Sequence, residues 1–399
     1  MVNKKQNKCV CEKIVKASIK NSISFKNLPK TEIFTSTFRK SKSYSLNQKI
    51  IFCSSCEHLF LRNKIDPKLI YNNDYLTSST KSFSAKYAND IFLDFINNSL
   101  SKKKFKHILE IGSNDLYLIK KFYNKSKKIT GIDPVIKSEK KYKKIKTIKK
   151  FFSEAKTTIF DKKIDLIICG HTLEHVENPK EFLKKVLKIS NNQTDIFFQF
   201  PSAEVLLNNS SFDQIHHQHL NYFSLKSFTK LMNSIGGKIL NYGYSNLHYG
   251  ALMVHFSLKS SNKKEVKKLK RNSKLVKFNL SKSYENFKSH LKLCEKTIES
   301  QIKLNKNFYV IGAGLMSPLI NYHMNGIFNK SKNILDDDKS KLGKYFGDIN
   351  SKIVKLSKTN LKNSVCLVSP VASSIITRKL VGVLYSKEAD TIIIPKITY

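Results

Sequence analysis

A chain of 399 residues is long for one hydrophobic core, and 40% hydrophobic with 11% aromatic residues can build more than one, so two or three globular domains are expected and bulk disorder is disfavoured. The formal charge of +42 invites a nucleic-acid partner, yet only Arg39, Arg62, Arg271 and Arg378 among the 72 basic residues are arginine, the side chain suited to bidentate phosphate and base contacts. The lysines are spread along the chain, which points to a solvated surface and against a specific nucleic-acid partner.

The N-terminus, "MVNKKQNKCVCEKIVK", lacks the apolar block of a signal peptide, and no apolar run of about eighteen residues follows anywhere, so a cytoplasmic protein without a membrane span is expected. The first ~80 residues are rich in Ser and Lys and carry Cys9 and Cys11 in "CVC" and Cys53 and Cys56 in "CSSC". Such pairs can form a four-thiolate zinc site, with His58 as a substitute ligand; four unligated thiols are the alternative. So small and polar a segment has little core of its own, which favours a structural over a catalytic metal.

From about Phe105 the texture becomes alternating strands and helices. "HILEIGSN", "KITGIDP", "IDLIICGHT" and "TDIFFQFP" read as strands. "NPKEFLKKVLKIS" reads as a helix with Asn178 as cap and Pro179 in its first turn. "KILNYGY" and "ALMVHFSLK" read as an antiparallel pair. The pattern predicts an α/β fold with a mostly parallel sheet and helices on both faces.

In "LEIGSND" an acid, Glu110, ends the first strand and Gly112 opens the turn; Asp133 ends the second strand in "GIDP". Glycine lets backbone approach a ligand, and a carboxylate at the second strand end can accept both hydroxyls of a ribose. A dinucleotide site asks for G-x-G-x-x-G, which "GSNDLY" does not supply. An unliganded glycine turn with an Asp cap is the plainer alternative.

"FDQIHHQHLNYFS", Phe212 to Ser224, holds three of the chain's 11 histidines, His216, His217 and His219. They can be metal ligands, proton-transfer groups or packing residues. The stretch has no carboxylate or cysteine placed to complete a tetrahedron around His216 and His219, which weighs against zinc. His217 is the best candidate for a purely structural role, since neighbours in an extended segment alternate faces.

Further on, "KSSNKKEVKKLKRNSK" is a charged linker or helix surface. Leu280, Tyr284, Phe287, Leu291, Cys294, Ile298 and Ile302 then recur at helical spacing, a stripe that must pack on neighbouring domains or, as the lesser expectation, form a dimer seam. "NFYVIGAGLMSPLINYHM" opens a second strand–glycine turn–helix unit, and "KNILDDDKSKLGKYFGD", "SVCLVSP" and "DTIIIP" add strands of a smaller C-terminal α/β domain. The sequence sets no oligomeric state.

The succession of "LEIGSND", "GIDP", "FFSEA", "HTLEHVENP" and "FDQIHHQHLNYFS" resembles the S-adenosylmethionine-dependent sugar C-methyltransferases, which act on nucleotide-linked keto-deoxysugars. The resemblance extends over nearly the whole chain. It implies a zinc-binding domain over 1–80, a class I methyltransferase domain over 81–258, a linker and connecting helix over 259–304 and a Rossmann-like domain over 305–399. By it, Cys9, Cys11, Cys53 and Cys56 hold structural zinc. Glu110, Gly112, Ser113 and Asp115 border the methionine part of the cofactor, and Asp133 holds the ribose. Ser153 and Glu154 lie near the adenine, and His171 stands at a strand end facing the sulfonium. His219 matches a proton-transfer residue, with His216 beside it, and Tyr75 reaches the sugar.

Four changes, one of them a residue pair, depart from the family pattern. Leu116 stands where a glycine is usual, His216 where a tyrosine is, Gln218 where a glutamate is, and Ser317–Pro318 where Lys-Gly is. Leucine disfavours positive φ and adds bulk; glutamine cannot accept a proton. C-methylation needs a base beside a ketone and donors for the enolate, here His219 and Tyr222 or Gln218. Methylation at oxygen or nitrogen, or a non-catalytic nucleotide-sugar binding protein, are the competing expectations.

Overall fold

The computed structural model describes residues 2–5, 8–31, 33–69, 80, 82–100, 104–137, 141–160, 164–245, 250–266, 279–370 and 374–395. They fall into two compact units, one of Met1–Asn21, Ile50–Val205 and Gln218–Phe278, the other of Ser22–Lys49, Leu206–His217 and Asn279–Tyr399.

The first unit is built on an eight-stranded sheet. Its strands are β1 (Phe105–Ile111), β2 (Ser126–Ile132), β3 (Lys141–Tyr142), β4 (Ile145–Ile148), β5 (Leu166–Gly170), β6 (Asp195–Pro201), β7 (Gly237–Ser245) and β8 (Ala251–Leu258). Their order is β7-β8-β6-β5-β1-β2-β4-β3. The run from β4 to β6 is parallel, while β8 is antiparallel to both β6 and β7. Strands covered on both faces read as continuous apolar runs, and Leu166, Ile167, Ile168 and Cys169 of β5 are all fully buried. Side chains alternate between two apolar layers. Leu109, Ile111 and Ile167 join the first; Ile108, Ile168 and Phe197 join the second.

Helix α1 (Phe83–Ser99) lays Phe92 and Ile96 into the second layer and starts where Ser82 accepts the Ala85 N–H. Helix α2 (Tyr117–Lys120) is one turn after β1. Helix α3 (Pro179–Lys188) is capped by Asn178, which accepts the Glu181 N–H, and buries Phe182, Leu183, Val186 and Leu187 in the first layer. Each such side chain contributes about 1.5–3 kcal/mol. Helix α4 (Leu225–Ser234) adds Leu225, Phe228, Leu231 and Met232 to the same layer.

The cysteine segment shares this core. Strands Ser45–Cys53 and His58–Leu61 pair antiparallel, Ile50 opposite Leu61 and Cys53 opposite His58, and the short strand Asn221–Tyr222 pairs on the far side of His58–Leu61. Cys9, Ile51, Cys53, Cys56 and Phe60 belong to the same apolar cluster as Phe223 and Phe228.

In the second unit, helix α5 (Leu280–Lys303) precedes β9 (Asn307–Ile311), α6 (Ser317–His323), β10 (Asn333–Asp336), β11 (Ile353–Lys355), β12 (Ser364–Val368), α7 (Ser374–Ser386) and β13 (Thr391–Ile393). The five strands are parallel in the order β11-β10-β9-β12-β13. The α5 stripe buries Leu280, Ser283, Phe287, Leu291, Cys294 and Ile298. Tyr284 and Ile302, expected in it, are only half-buried. Ser283 lies inward because its hydroxyl donates to the Leu207 carbonyl at 2.5 Å.

Candidate functional site

In the first sheet the chain passes from β1 to β2 on one side and later to β5 on the other. That reversal leaves a crevice outside the carboxyl ends of β1 and β5, where open α/β sheets bind ligands. The turn leaving β1 has Gly112 at φ +74°, Asn114 at +43° and Leu116 at +67°. Gly112 is required there: a Cβ on it would come within 1.9 Å of Thr172 Oγ1, on the turn leaving β5. The Gly112 N–H donates to the Ile132 carbonyl at 2.9 Å and holds the turn to β2.

Asp133, 8% exposed, accepts the Asn114 N–H on Oδ2 and the Val135 N–H on Oδ1, each at 2.9 Å. Both oxygens keep lone pairs for a ligand. Burial raises the Asp133 and Glu110 carboxyls above their ordinary range. Glu110 accepts the Ile119 N–H at 3.2 Å, and Asp115 accepts the Thr80 N–H at 2.7 Å. The buried Ser113 Oγ has no hydrogen-bond partner among the described residues, so a polar ligand group would complete it. Ser153 and Glu154 are exposed on the segment after β4, and Glu154 pairs with Lys68 at 2.8 Å. Leu116 packs against the second apolar layer, and a Cβ on Gly131 would lie 2.8 Å from its Cδ2. The leucine's bulk is therefore accommodated by a glycine on β2.

At the end of β5, His171 takes φ +46° and donates its backbone N–H to the Gln199 carbonyl at 2.8 Å. Its Nδ1 is 3.3 Å from Oε1 of Glu174, a fully buried carboxylate whose Oε2 has no hydrogen-bond partner among the described residues. His175 Nδ1 donates to the Gln218 carbonyl at 2.9 Å, and its Nε2 is 3.9 Å from Glu174 Oε1. Burial lowers the His175 imidazole below its ordinary range. The His175 ring lies 4.9 Å from that of His219, which lies 5.8 Å from Tyr222. Sequence reasoning passed over Glu174 and His175. The available signal was "HTLEH", titratable residues at i, i+3 and i+4 just past a buried strand.

His216 and His217 belong to the second unit. His217 donates from Nε2 to the Leu28 carbonyl at 2.9 Å and has Gln48 Nε2 3.4 Å from Nδ1, and burial lowers its imidazole to about 4. These are structural ties. His216 is 3% exposed. Tyr75 lies outside the described residues.

The four N-terminal cysteines converge, with Cys9 and Cys56 sulfurs 3.4 Å apart and Cys11 and Cys53 sulfurs 3.7 Å apart, and all are free thiols. Tetrahedral zinc with bonds of about 2.3 Å spaces its sulfurs by roughly 3.8 Å, so the set fits. The hydrogen bond from Cys9 lowers the Cys56 thiol to about 6. His58 bonds Asn221 Oδ1 through Nε2 at 3.2 Å, and the converging donor atoms are those of the four cysteines without it.

Residues 84–241 match the family model described as "Methyltransferase domain". The chain is 22% identical over 210 residues to the C-methyltransferase NovU of Streptomyces niveus; the match takes in 51% of this chain and about half, 50%, of that relative. Solved structures similar to it include the N-methyltransferase NodS of Bradyrhizobium japonicum in complex with S-adenosyl-L-homocysteine, at 15% identity, 44% of this chain, 88% of that chain and a TM-score of 0.35. The magnesium protoporphyrin IX methyltransferase of Synechocystis is similar at 10% identity, 47% of this chain, 88% of that chain and a TM-score of 0.34. Scores this low add nothing to the strand order. The family match and the crevice at the strand-order reversal together make residues 84–241 a class I methyltransferase domain.

Proposed function

We infer that the chain is an S-adenosylmethionine-dependent methyltransferase acting on a nucleotide-linked keto-deoxysugar, by C-methylation through an enolate. The observation that carries the reading is the crevice itself, with Asp133 and the unpartnered Ser113 hydroxyl on one side and the His171–Glu174–His175–His219 group in the same unit. When bound, S-adenosylmethionine supplies an electrophilic methyl group. Glu110, Gly112, Ser113 and Asp115 border its methionine part, Asp133 accepts from the ribose hydroxyls, and Ser153 and Glu154 lie towards the adenine. His219 takes the proton beside the ketone, and Tyr222 donates to the developing enolate oxygen; holding the two carbons in line accounts for much of the rate.

Cys9, Cys11, Cys53 and Cys56 hold one structural zinc, in the four-part division of the chain at 80, 258 and 304. No helix among the described residues is long and apolar enough to cross a membrane, which suits the cytoplasmic placement proposed here and a role in polysaccharide or glycoside assembly. Gln218, unable to take a proton, favours a second reading in which the methyl goes to oxygen or nitrogen of a related sugar. The packing of Leu116 on Gly131 supports an enzyme over a binding protein that has lost its cofactor.

Calorimetric titration with S-adenosylmethionine and S-adenosylhomocysteine tests the reading. Asp133→Ala is expected to weaken both by about 1.5–3 kcal/mol, roughly 10- to 150-fold. No binding by the wild-type protein at millimolar cofactor, or no change in the variant, would sink the assignment.

A further inference from the structure

Zinc is disfavoured for the histidine stretch read by itself because residues 212–224 offer no carboxylate or cysteine placed to complete a site around His216 and His219. The fold supplies one from elsewhere. Glu174, His175 and His219 each place one donor atom within 4.8 Å of the others, the first two from the turn after β5 and the third from the segment before Asn221–Tyr222. We propose that these three residues form a binding site for a first-row divalent cation of zinc-like preference, separate from the four-cysteine site.

Three features carry this. The donor set, two imidazoles and one carboxylate with a fourth position left open, is one that such cations take. The Glu174 carboxylate is fully buried, and among the described residues its only ion-pair partners within 4 Å are His171 and His175, with no lysine or arginine. A buried carboxylate without a fixed cation calls for a proton or a metal. The His175 tautomer is also set. A carbonyl can only accept, so the Nδ1 bonded to Gln218 carries the hydrogen and the neutral ring has its lone pair on Nε2. That nitrogen faces Glu174 Oε1 at 3.9 Å, too far for a hydrogen bond and within the span of two metal bonds of about 2.0–2.2 Å each. A backbone carbonyl on the second ring nitrogen is the support metal-bound histidines usually have.

The inference goes beyond the methyl-transfer reading and does not rest on it. The two meet at His219: a nitrogen bonded to a cation cannot also accept a substrate proton, so occupancy of this site and the base role exclude one another.

The test is cobalt(II) titration of the full chain after metal removal by chelation, followed by ultraviolet and visible absorption. Thiolate-bound cobalt gives intense near-ultraviolet charge-transfer bands, and the Glu174–His175–His219 site gives only weak visible bands. Wild type should bind two equivalents, one of each kind. Cys53→Ser with Cys56→Ser should keep the equivalent without thiolate bands. Glu174→Gln and His219→Ala should each lose that equivalent and keep the thiolate bands, which also report that the variants are folded. Saturation of wild type at one thiolate-bound equivalent overturns the proposal, as does a second equivalent that survives Glu174→Gln. Cofactor does not enter the measurement, so a failed methyl-transfer reading and a failed metal site give different results.

Discussion

Gly112→Ala isolates the close approach of the two strand ends. The added Cβ would lie 1.9 Å from Thr172 Oγ1, 3.0 Å from its Cβ and 3.2 Å from its Cγ2, at a backbone φ of +74°. A left-handed alanine costs about 1–2 kcal/mol. Forcing an extra methyl into a packed site costs about 1–3 kcal/mol, and the stiffer unfolded chain returns about 0.4–1 kcal/mol. The net destabilisation is then about 1–5 kcal/mol, which lowers the melting midpoint of a unit this size by roughly 2–20 °C. Cofactor affinity should fall at least tenfold, because the turn that carries Ser113 must move. Thr172→Ala removes the Oγ1 and Cγ2 clashes but not the φ strain, and on its own loses the hydroxyl's 3.1 Å bond to the Gly170 carbonyl, worth about 1 kcal/mol. The double variant should therefore be more stable than the sum of the singles by about 1–2 kcal/mol. Scanning calorimetry and cofactor titration on the four proteins of this cycle measure each quantity. If Gly112→Ala melts with the wild type, or the two substitutions simply add, Gly112 is not there to let the strand ends approach.

His219→Ala should lower turnover roughly 100- to 10,000-fold with cofactor affinity almost unchanged, and should stop a keto-sugar substrate from exchanging its acidic proton in deuterated water; exchange that persists clears His219 as the base. Cys53→Ser with Cys56→Ser should remove the sulfur-bound zinc, by metal analysis, and expose residues 1–80 to limited proteolysis; sulfur-bound zinc in the double variant refutes the four-thiolate site. His323 of the second unit, ringed by Phe25, Tyr284, Phe287 and Tyr322 with Lys288 nearby, is pushed down to about 3 by burial. Its folded pKa lies below its unfolded one, so the unfolded chain takes up a proton and stability falls as pH drops below 6.5; between pH 7 and 5 the loss is about 2 kcal/mol. His323→Phe should flatten that slope in denaturant titrations of the second unit, and an unchanged slope would mean the histidine is not held neutral.

What the sequence carried well is what burial writes locally. Parallel strands covered on both faces are uninterrupted apolar runs, so "HILEI" and "DLIICG" announce themselves, and a glycine and an acid at consecutive strand ends mark the crevice. What it carried poorly is pairing across distance. The two-residue strand Asn221–Tyr222 pairs with Leu59 and Phe60, and so short a strand has no period to read. That pairing belongs to the core the cysteine segment shares with the methyltransferase sheet. The histidine stretch misleads for a related reason. His217 bonds to Leu28, while the ring of His219, two residues on, lies tilted against that of His175, so adjacency in the chain says nothing about shared chemistry there. Leu116 is the instructive case, because the conflict was legible and its resolution was not. Leucine does sit at φ +67°, in the conformation it disfavours, at a cost of about 1–2 kcal/mol. Its side chain fits because position 131, directly across on β2, is the glycine, where any Cβ would stand 2.8 Å from the leucine Cδ2 and 2.7 Å from Ser113 Oγ. The space that a glycine at 116 would have left open is thus provided from the neighbouring strand, and Gly131, the first residue of "GIDP", is as necessary to this turn as Gly112.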